Sequence, residues 1–447
     1  MEKITIIGAG LVGSVLAMFL ARKGYGVDVY ERYPDVREVD PRNSRSINLT
    51  LCDRGFRALD DIGAGRIVRA LSVPAYGRLI HDVKGNLTRQ PYGNNNEAIY
   101  SISRTDLNKA LLDFAEKNFD VAFHFNQKCL GLDLSSAAIE LEDLKTGRVS
   151  RRATDIVFGS DGAHSVVRLQ MQKKNRFDFC QQYWEQGYTE LNVPASAEGW
   201  TGEKNVLHLW PRGGYMLIGF PNIDGSFTCS LHIPFEGDHS FESIKTERDL
   251  LEFFESSFPD VIPRMPKLVE YFFANPRNSM VSIKCSPWSF QGKAALIGDA
   301  AHAIYPSYGQ GANAGFEDCL TLDECLDEYG ADWKKVFTEY EKRRKPNTDA
   351  IADLCKEHFV ELRDLVGDSR FLLRKEIERR INQRHPEKYK DLYSMITFTC
   401  MPYTEALRID RDQRAIVDRI MSMEAVDERL AGEEITSLID EMMLAVR

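Results

Sequence analysis

The feature that most constrains the fold of this chain is Gly8-Ala9-Gly10-Leu11-Val12-Gly13, set in the opening stretch KITIIGAGLVGSVLAMFLARKGYGVDVYER. An apolar strand precedes the glycines, a helical pattern follows them, and a second strand ends at Glu31. That is one βαβ unit, and it predicts a parallel sheet. The glycines permit a tight turn and the close approach of a pyrophosphate to a helix N-terminus. An acid at the end of the second strand can take the hydroxyls of an adenosine ribose. Gly8, Gly10, Val12, Gly13 and Glu31 are therefore candidate dinucleotide-binding residues. The alternative is a glycine turn that only packs a helix on a sheet, and which dinucleotide binds stays open.

Two further motifs follow in order. FGSDGAHSVVR, from Phe158 to Arg168, ends a strand with Gly159, Asp161 and Gly162 and then enters a helix. Alone it reads more readily as a common turn with Asp as an N-cap. AALIGDAAHAIYPSYGQGANAGFEDCL, from Ala294 to Leu320, is a short apolar strand that ends at Asp299, crosses a glycine-studded loop and becomes a helix. An ionised Asp only accepts hydrogen bonds, so it suits a ligand rich in hydroxyl donors. If that ligand is FAD, Asp299 serves the ribityl chain. Gly311, Ala312 and Asn313 then bring free N–H groups and a positive helix end to the pyrimidine edge of a reduced flavin. An Asp-capped turn before an amphipathic helix is the alternative.

Between these motifs, SRTDLNKALLDFAEK predicts a helix with Leu107, Leu111, Leu112 and Ala115 on one face, and short strands fall around VAFHF, AIELED and TDIVFGSDG. NVLHLWPRGGYMLIGFPNIDGSFTCSLHIPF predicts an inserted antiparallel sheet, and helices dominate from about Asp332. The tail EEITSLIDEMMLAVR puts Ile435, Leu438, Ile439, Met442 and Val446 on one face. A docked terminal helix or a partner helix fits better than a membrane anchor, because its acidic face is repelled by anionic lipid.

The net charge of -10 and pI near 5.6 argue against a nucleic-acid groove. The nine cysteines are odd in number, scattered and never spaced as CxxC, so they read as reduced core residues. There is no signal-peptide pattern and no apolar run near the roughly 18 residues that span a bilayer, which makes the cytoplasm the expected compartment and excludes a membrane partner. No histidines and acids are spaced as a metal-ligand set. His302, in a tight loop just after Asp299, reads as a structural hydrogen-bonding residue. His358 shares a helical face with Ile351, Leu354, Cys355, Leu362 and Leu365, which buries it or points it at a pocket.

The ordered set GxGxxG, DG and GD resembles the FAD-dependent aromatic hydroxylases, the single-component flavoprotein monooxygenases. The resemblance implies an α/β chain with a discontinuous Rossmann-like FAD-binding domain (1–72, 98–175 and 276–345). It also implies an inserted antiparallel substrate domain (73–97 and 176–275) and a C-terminal helical region (346–447). In that family the DG motif, here with Asp161, is linked to FAD and NAD(P)H, and the GD motif contacts ribityl.

RSINLTL at 45–51, GRLIH at 77–81, PYG at 91–93, SISRTDLNKALL at 101–112, LHLWPR at 207–212, SFTCSL at 226–231 and GQGANAGFEDCL at 309–320 are similar to the kynurenine-hydroxylating branch of the family. The likeness runs from the first strand to about Tyr403. It implies oxidation of L-kynurenine to 3-hydroxykynurenine in tryptophan degradation, using dioxygen and NADPH as a transient co-substrate, through a hydroperoxide of tightly but non-covalently bound FAD. The flavin carries the chemistry, so no catalytic side chain is assigned. Arg78, Tyr92 and Tyr403 fall on the residues that bind the amino-acid tail, and Arg104 and the backbone of Cys129 fall on FAD contacts. The charged tail points to the soluble, bacterial form, with a homodimer left open. The chain departs from the family at His358, Ser307 and Tyr308. Rival readings are an FAD-dependent hydroxylase of another aromatic substrate and a non-catalytic protein that keeps the fold as a binding scaffold.

Overall fold

The strand Lys3–Ile7 pairs in parallel with Ile156–Gly159 on one side and Gly26–Tyr30 on the other. In this computed structural model, which describes residues 2–39, 47–93, 97–196, 202–365, 368–423, 426–429 and 432–445, these strands form the middle of a six-stranded sheet. Ala294–Leu296 and Val121–His124 extend it in parallel, and only the edge strand Ser289–Phe290 runs antiparallel. Strands buried on both faces read as near-continuous apolar runs, as KITII and IVFG do. Helices Leu11–Arg22 and Gly311–Tyr329 pack against one another, and Val15, Leu16, Phe19, Phe158, Phe316 and Leu322 lie in the shared core. The register sets Ile7 beside both Gly159 and Tyr30. The glycine turn, Glu31, the DG turn and the GD turn therefore leave the same carboxyl edge of the sheet, where open α/β sheets bind ligands.

A second sheet has seven strands in the order Asn278–Ser286, Asp178–Val193, Phe227–Pro234, Met216–Pro221, Leu207–Pro211, Gly77–His81 and Leu87–Pro91. All its pairs are antiparallel except Leu207–Pro211 with Gly77–His81. Side chains alternate across it. Leu191, Leu217, Cys229, Leu231 and Ile233 face helices Glu247–Ser257 and Leu268–Ala274 and form a second core. On the opposite face Leu209, Met216 and Ile218 pack in a third core with Phe359 and Leu362 and also line a cavity.

The expected domain limits shift in three places. Asn278–Ser286, placed with the FAD-binding segments, pairs with Asp178–Val193 and belongs to the seven-stranded sheet. Val73–Ala75, placed with the substrate domain, pairs with Ile99–Ser103 in a small sheet beside the cofactor side. Helix Trp333–Val360 runs unbroken through the limit expected at 345. In each case long-range pairing or continuous helical burial overrides the local change in sequence texture.

The last helix, Glu433–Ala445, docks on the chain's own helices. Ile435, Ile439 and Met443 are buried with Ile377, Ile416 and Ile420, while Leu438 and Met442 are partly buried against them and Val446 lies outside the described residues. Among the described residues no helix is long and apolar enough to cross a membrane.

Candidate active site

The glycine turn is shaped by contacts that admit no side chain. Gly8 has φ +105, and a Cβ there would sit 2.4 Å from the Ser160 carbonyl oxygen; one on Gly13 would sit 2.0 Å from the Gly8 oxygen. Such distances exclude any larger residue. At Gly10 and Gly311, by contrast, an added Cβ meets nothing within 4 Å. Both glycines line one cavity of about 330 Å³, with Val12, Arg104, Asp299 and Ala312 on the same wall. A helix start, an exposed carboxylate and open backbone on either side make a cradle chemically suited to FAD: N–H donors for pyrophosphate and flavin, and an acceptor for ribityl hydroxyls.

The turns that hold this cradle are braced from behind. Arg168, buried, donates through Nη1 to the Ala300 carbonyl at 2.7 Å and through Nη2 to that of Ala163, so one guanidinium joins the DG and GD turns. Asp318, fully buried on helix Gly311–Tyr329, accepts from Gly298 N at 3.1 Å and bonds to His302 Nε2. Arg344 Nε donates to the other oxygen of Asp318 at 2.7 Å. Burial works to raise the Asp318 carboxyl, but His302 and Arg344 hold it below the usual carboxylate range. Arg344 and Arg54 both pair with Glu317. His302 thus has the structural role expected of it.

That second face of the seven-stranded sheet forms another part of the wall. Register puts Tyr188, His232 and Met216 in one row and Glu190, Ser230, Ile218 and Leu209 in the next. All of these line the cavity. His232 Nε2 bonds Ser230 Oγ at 3.0 Å, while its Nδ1 is buried without a partner. Burial pushes the imidazole down to about 4, so the ring is neutral at pH 7.

Arg78 also lines the cavity, across from Leu207 in the register. Its Nε donates to Tyr92 Oη at 3.2 Å, its Nη2 lies 3.2 Å from His358 Nε2, and its guanidinium lies 4.8 Å from the Tyr393 ring centre. Tyr92 and Tyr393 stack at 5.2 Å, and Tyr393 and Tyr308 at 5.7 Å. Burial works against the charge, but Tyr92, Tyr393 and Glu361 outweigh it and keep the group a cation. Among the described residues no carboxylate lies within 4.0 Å of it. A cation placed in this way calls for an anion.

The candidates therefore sort by position. Gly10, Val12, Arg104, Asp299, Gly311 and Ala312 line the cavity with Arg78 and Tyr92. Gly8, Gly13 and Glu31 sit behind its wall in the glycine turn, where the Glu31 carboxylate accepts from Ala9 N and Tyr33 N at 2.9 Å each. Cys129 is buried, its thiol pushed up to about 12. Asp161 turns one oxygen to Val166 N at 2.7 Å and leaves the other buried and unpartnered, and burial raises its carboxyl. The Asn313 side chain spends its bonds on Cys52 N, Thr50 O and Gly309 O, so only its backbone is free for a ligand.

Tyr403 departs from expectation. It is fully buried and off the cavity wall, its hydroxyl donating to Gln310 Oε1 at 2.9 Å and its ring capped by Arg54 at 4.0 Å. Tyr393, which the sequence reading missed, occupies the wall instead. Arg168 was also missed as a brace. Arg168 closes the DG motif itself, but nothing local shows that its guanidinium reaches the GD turn, and Tyr393 lies in a short helix, Leu392–Thr397, among many aromatics of similar appearance.

Residues 1–227 and 270–354 match a family model described as "FAD binding domain". Kynurenine 3-monooxygenase of Flavobacterium johnsoniae is 45% identical over 442 residues, covering 99% of this chain and 98% of the relative. The Myxococcus xanthus and Sus scrofa enzymes of that name are each 41% identical, covering 99% and 93% of this chain and 96% and 88% of theirs. The fold is shared with a tetrameric 2-methyl-3-hydroxypyridine-5-carboxylic acid oxygenase, at TM-score 0.67 and 23% identity over 84% of this chain and 95% of that one. It is also shared with a Klebsiella pneumoniae HpxO variant complexed with FAD, at TM-score 0.64 and 20% identity over 86% and 96%.

Proposed function

The chain belongs to the kynurenine 3-monooxygenase family of FAD-dependent hydroxylases, and on that premise we propose that it converts L-kynurenine to 3-hydroxykynurenine with NADPH and dioxygen. The observation that carries this reading is one cavity lined both by the open backbone of Gly10 and Gly311 with Asp299 and by a charged Arg78 that has no salt-bridge partner among the described residues. When bound, FAD supplies the redox chemistry that activates dioxygen for transfer of one oxygen atom to an aromatic ring.

The side chains do the holding. Gly8, Gly10, Val12 and Gly13 take the pyrophosphate, Glu31 the adenosine ribose, and Asp299 the ribityl hydroxyls, while the first-turn N–H groups of Gly311, Ala312 and Asn313 meet the flavin. Arg104, on the cavity wall, and Cys129 and Asp161, off it, are assigned to the rest of the cofactor shell on the family resemblance. Arg78 binds the substrate carboxylate and Tyr92 orients Arg78. Leu207, Leu209, Met216, Ile218 and Phe359 exclude water around the ring. The nine cysteines are all unpaired, which supports a cytoplasmic home. Incubation with L-kynurenine, NADPH and air tests the reading. A product heavier by one oxygen, hydroxylated at ring position 3, is expected; NADPH consumption with no such product would sink it.

A further inference from the structure

Behind Arg78 lies His358, buried on helix Trp333–Val360. Arg78 Nη2 is 3.2 Å from His358 Nε2, and His358 Nδ1 is 3.0 Å from the carbonyl oxygen of Ser307. An arginine can only donate and a backbone carbonyl can only accept. The two contacts therefore leave one assignment, with the proton on Nδ1 and the lone pair on Nε2. The ring is also stacked on Tyr308, with centroids 4.0 Å apart and planes at 26°. Ser307 Oγ in turn donates to the Cys355 carbonyl at 2.6 Å, which ties the loop back to the same helix. Burial first, then the positive charges of Arg78 and Lys375, hold the imidazole well below its ordinary value and keep the lone pair available.

These contacts make a continuous link from Arg78 on the cavity wall to the loop Pro306–Tyr308, which runs directly into Gly309 and the first turn of helix Gly311–Tyr329. We propose that His358 is a positioning residue for the carboxylate clamp: its Nε2 lone pair fixes the guanidinium of Arg78, and its Nδ1–H ties that orientation to the Ser307 carbonyl. The inference rests on Arg78 being the clamp. Without the acceptor at Nε2, the guanidinium keeps its charge and loses its direction, so carboxylate binding suffers and the oxygen-transfer step does not.

Side-chain amides separate the two halves of the link. Glutamine places an oxygen near the position of Nε2, where it accepts from Arg78, whereas asparagine reaches only the position of Nδ1. With L-kynurenine, His358→Asn and His358→Leu are expected to raise KM about 10- to 100-fold at a kcat within about twofold, the range of a hydrogen bond to a charged group. His358→Gln is expected to stay within about threefold of the parent protein in KM. A kynurenine analogue lacking the carboxylate should not distinguish the variants, and in an Arg78→Met background His358→Asn should add nothing.

Normal FAD absorbance and an unchanged thermal midpoint for His358→Gln establish that the fold is intact. If Arg78→Met raises KM while His358→Asn and His358→Leu leave it within threefold, the positioning role is wrong and the clamp stands. Equal losses with both ligands would also overturn the role, since a ring that merely supports the fold does not sense the carboxylate. If Arg78→Met itself leaves KM unchanged, the clamp fails, and the role of His358 with it.

Discussion

Gly298 N donates to Asp318 Oδ2 at 3.1 Å, so the residue immediately before Asp299 is held by a carboxylate from the following helix. Arg344 is the cation that keeps that carboxylate and Glu317 satisfied inside the protein. Removing one partner of a buried ionic group leaves an uncompensated charge, which costs about 3–5 kcal/mol. Arg344→Met is therefore expected to lower the free energy of unfolding by that amount and to weaken FAD retention. Urea unfolding followed by tryptophan fluorescence checks it; an unchanged midpoint would show that the network does not hold the turn.

Asp299→Ala removes an exposed acceptor that braces nothing in the described structure. Loss of a charged hydrogen-bonding group at a ligand costs about 1.5–3 kcal/mol, or roughly 10- to 100-fold in Kd. FAD titration of the stripped protein should show that loss at an unchanged unfolding midpoint. Full occupancy at low FAD would remove Asp299 from the cofactor site.

Arg78→Met keeps much of the aliphatic stem and deletes the guanidinium. A partly desolvated clamp of this kind should be worth about 2–4 kcal/mol, or roughly 30- to 1000-fold in kcat/KM for L-kynurenine, with FAD content near normal. Steady-state kinetics decides the matter, and turnover within about threefold of the parent protein would place the clamp elsewhere.

Acid should destabilise the fold through three buried imidazoles, His358 and the pair His232 and His208. Burial lowers both His232 and His208 to about 4, against about 6.5 in an unfolded chain. Below pH 6.5 the unfolded state takes up the protons first, so each group's full contribution is present above pH 6.5 and is lost as pH falls toward 4. Each of that pair is worth about 3 kcal/mol over that interval. His232→Phe, whose ring suits a slot beside Phe359, should make unfolding less pH-dependent by about that amount between pH 7 and 4. Parallel pH slopes for variant and parent would contradict this.

The parts of the site legible in the sequence are those whose chemistry is local. Gly8, Gly13 and Asp299 announce themselves because a tight turn or a strand end demands that residue at that place. The clamp is different: Arg78 lines the cavity only because Gly77–His81 joins a sheet through a parallel partner, Leu207–Pro211, far along the chain. Nothing around GRLIH encodes that pairing, and it was the resemblance to known hydroxylases that singled out Arg78. The same limit explains Tyr403 and Tyr393. Both are phenols in the helical region, and which one reaches the wall depends on whether Gln310 and Arg54 or Tyr92 and Arg78 stand opposite. His232 and Ser230 are two apart on one strand, so periodicity puts them on one face without saying which face carries the ligand.

Helix Trp333–Val360 begins among Phe158, Phe337 and Tyr340 in the first core and ends with Leu354, Cys355 and Phe359 in the core under the clamp. At 1.5 Å per residue its 28 residues make a rod about 42 Å long. This bears on how relatives of this chain can be recombined. A chimaera joined near residue 345 would splice two half-rods whose azimuths must agree, since one residue of slippage turns the far end by about 100° and swings His358 away from Arg78. A junction in the exposed hairpin turn at 82–86 carries no such demand, so exchange of substrate preference between relatives is better attempted by swapping strands of the large sheet than by exchanging the carboxyl-terminal half whole.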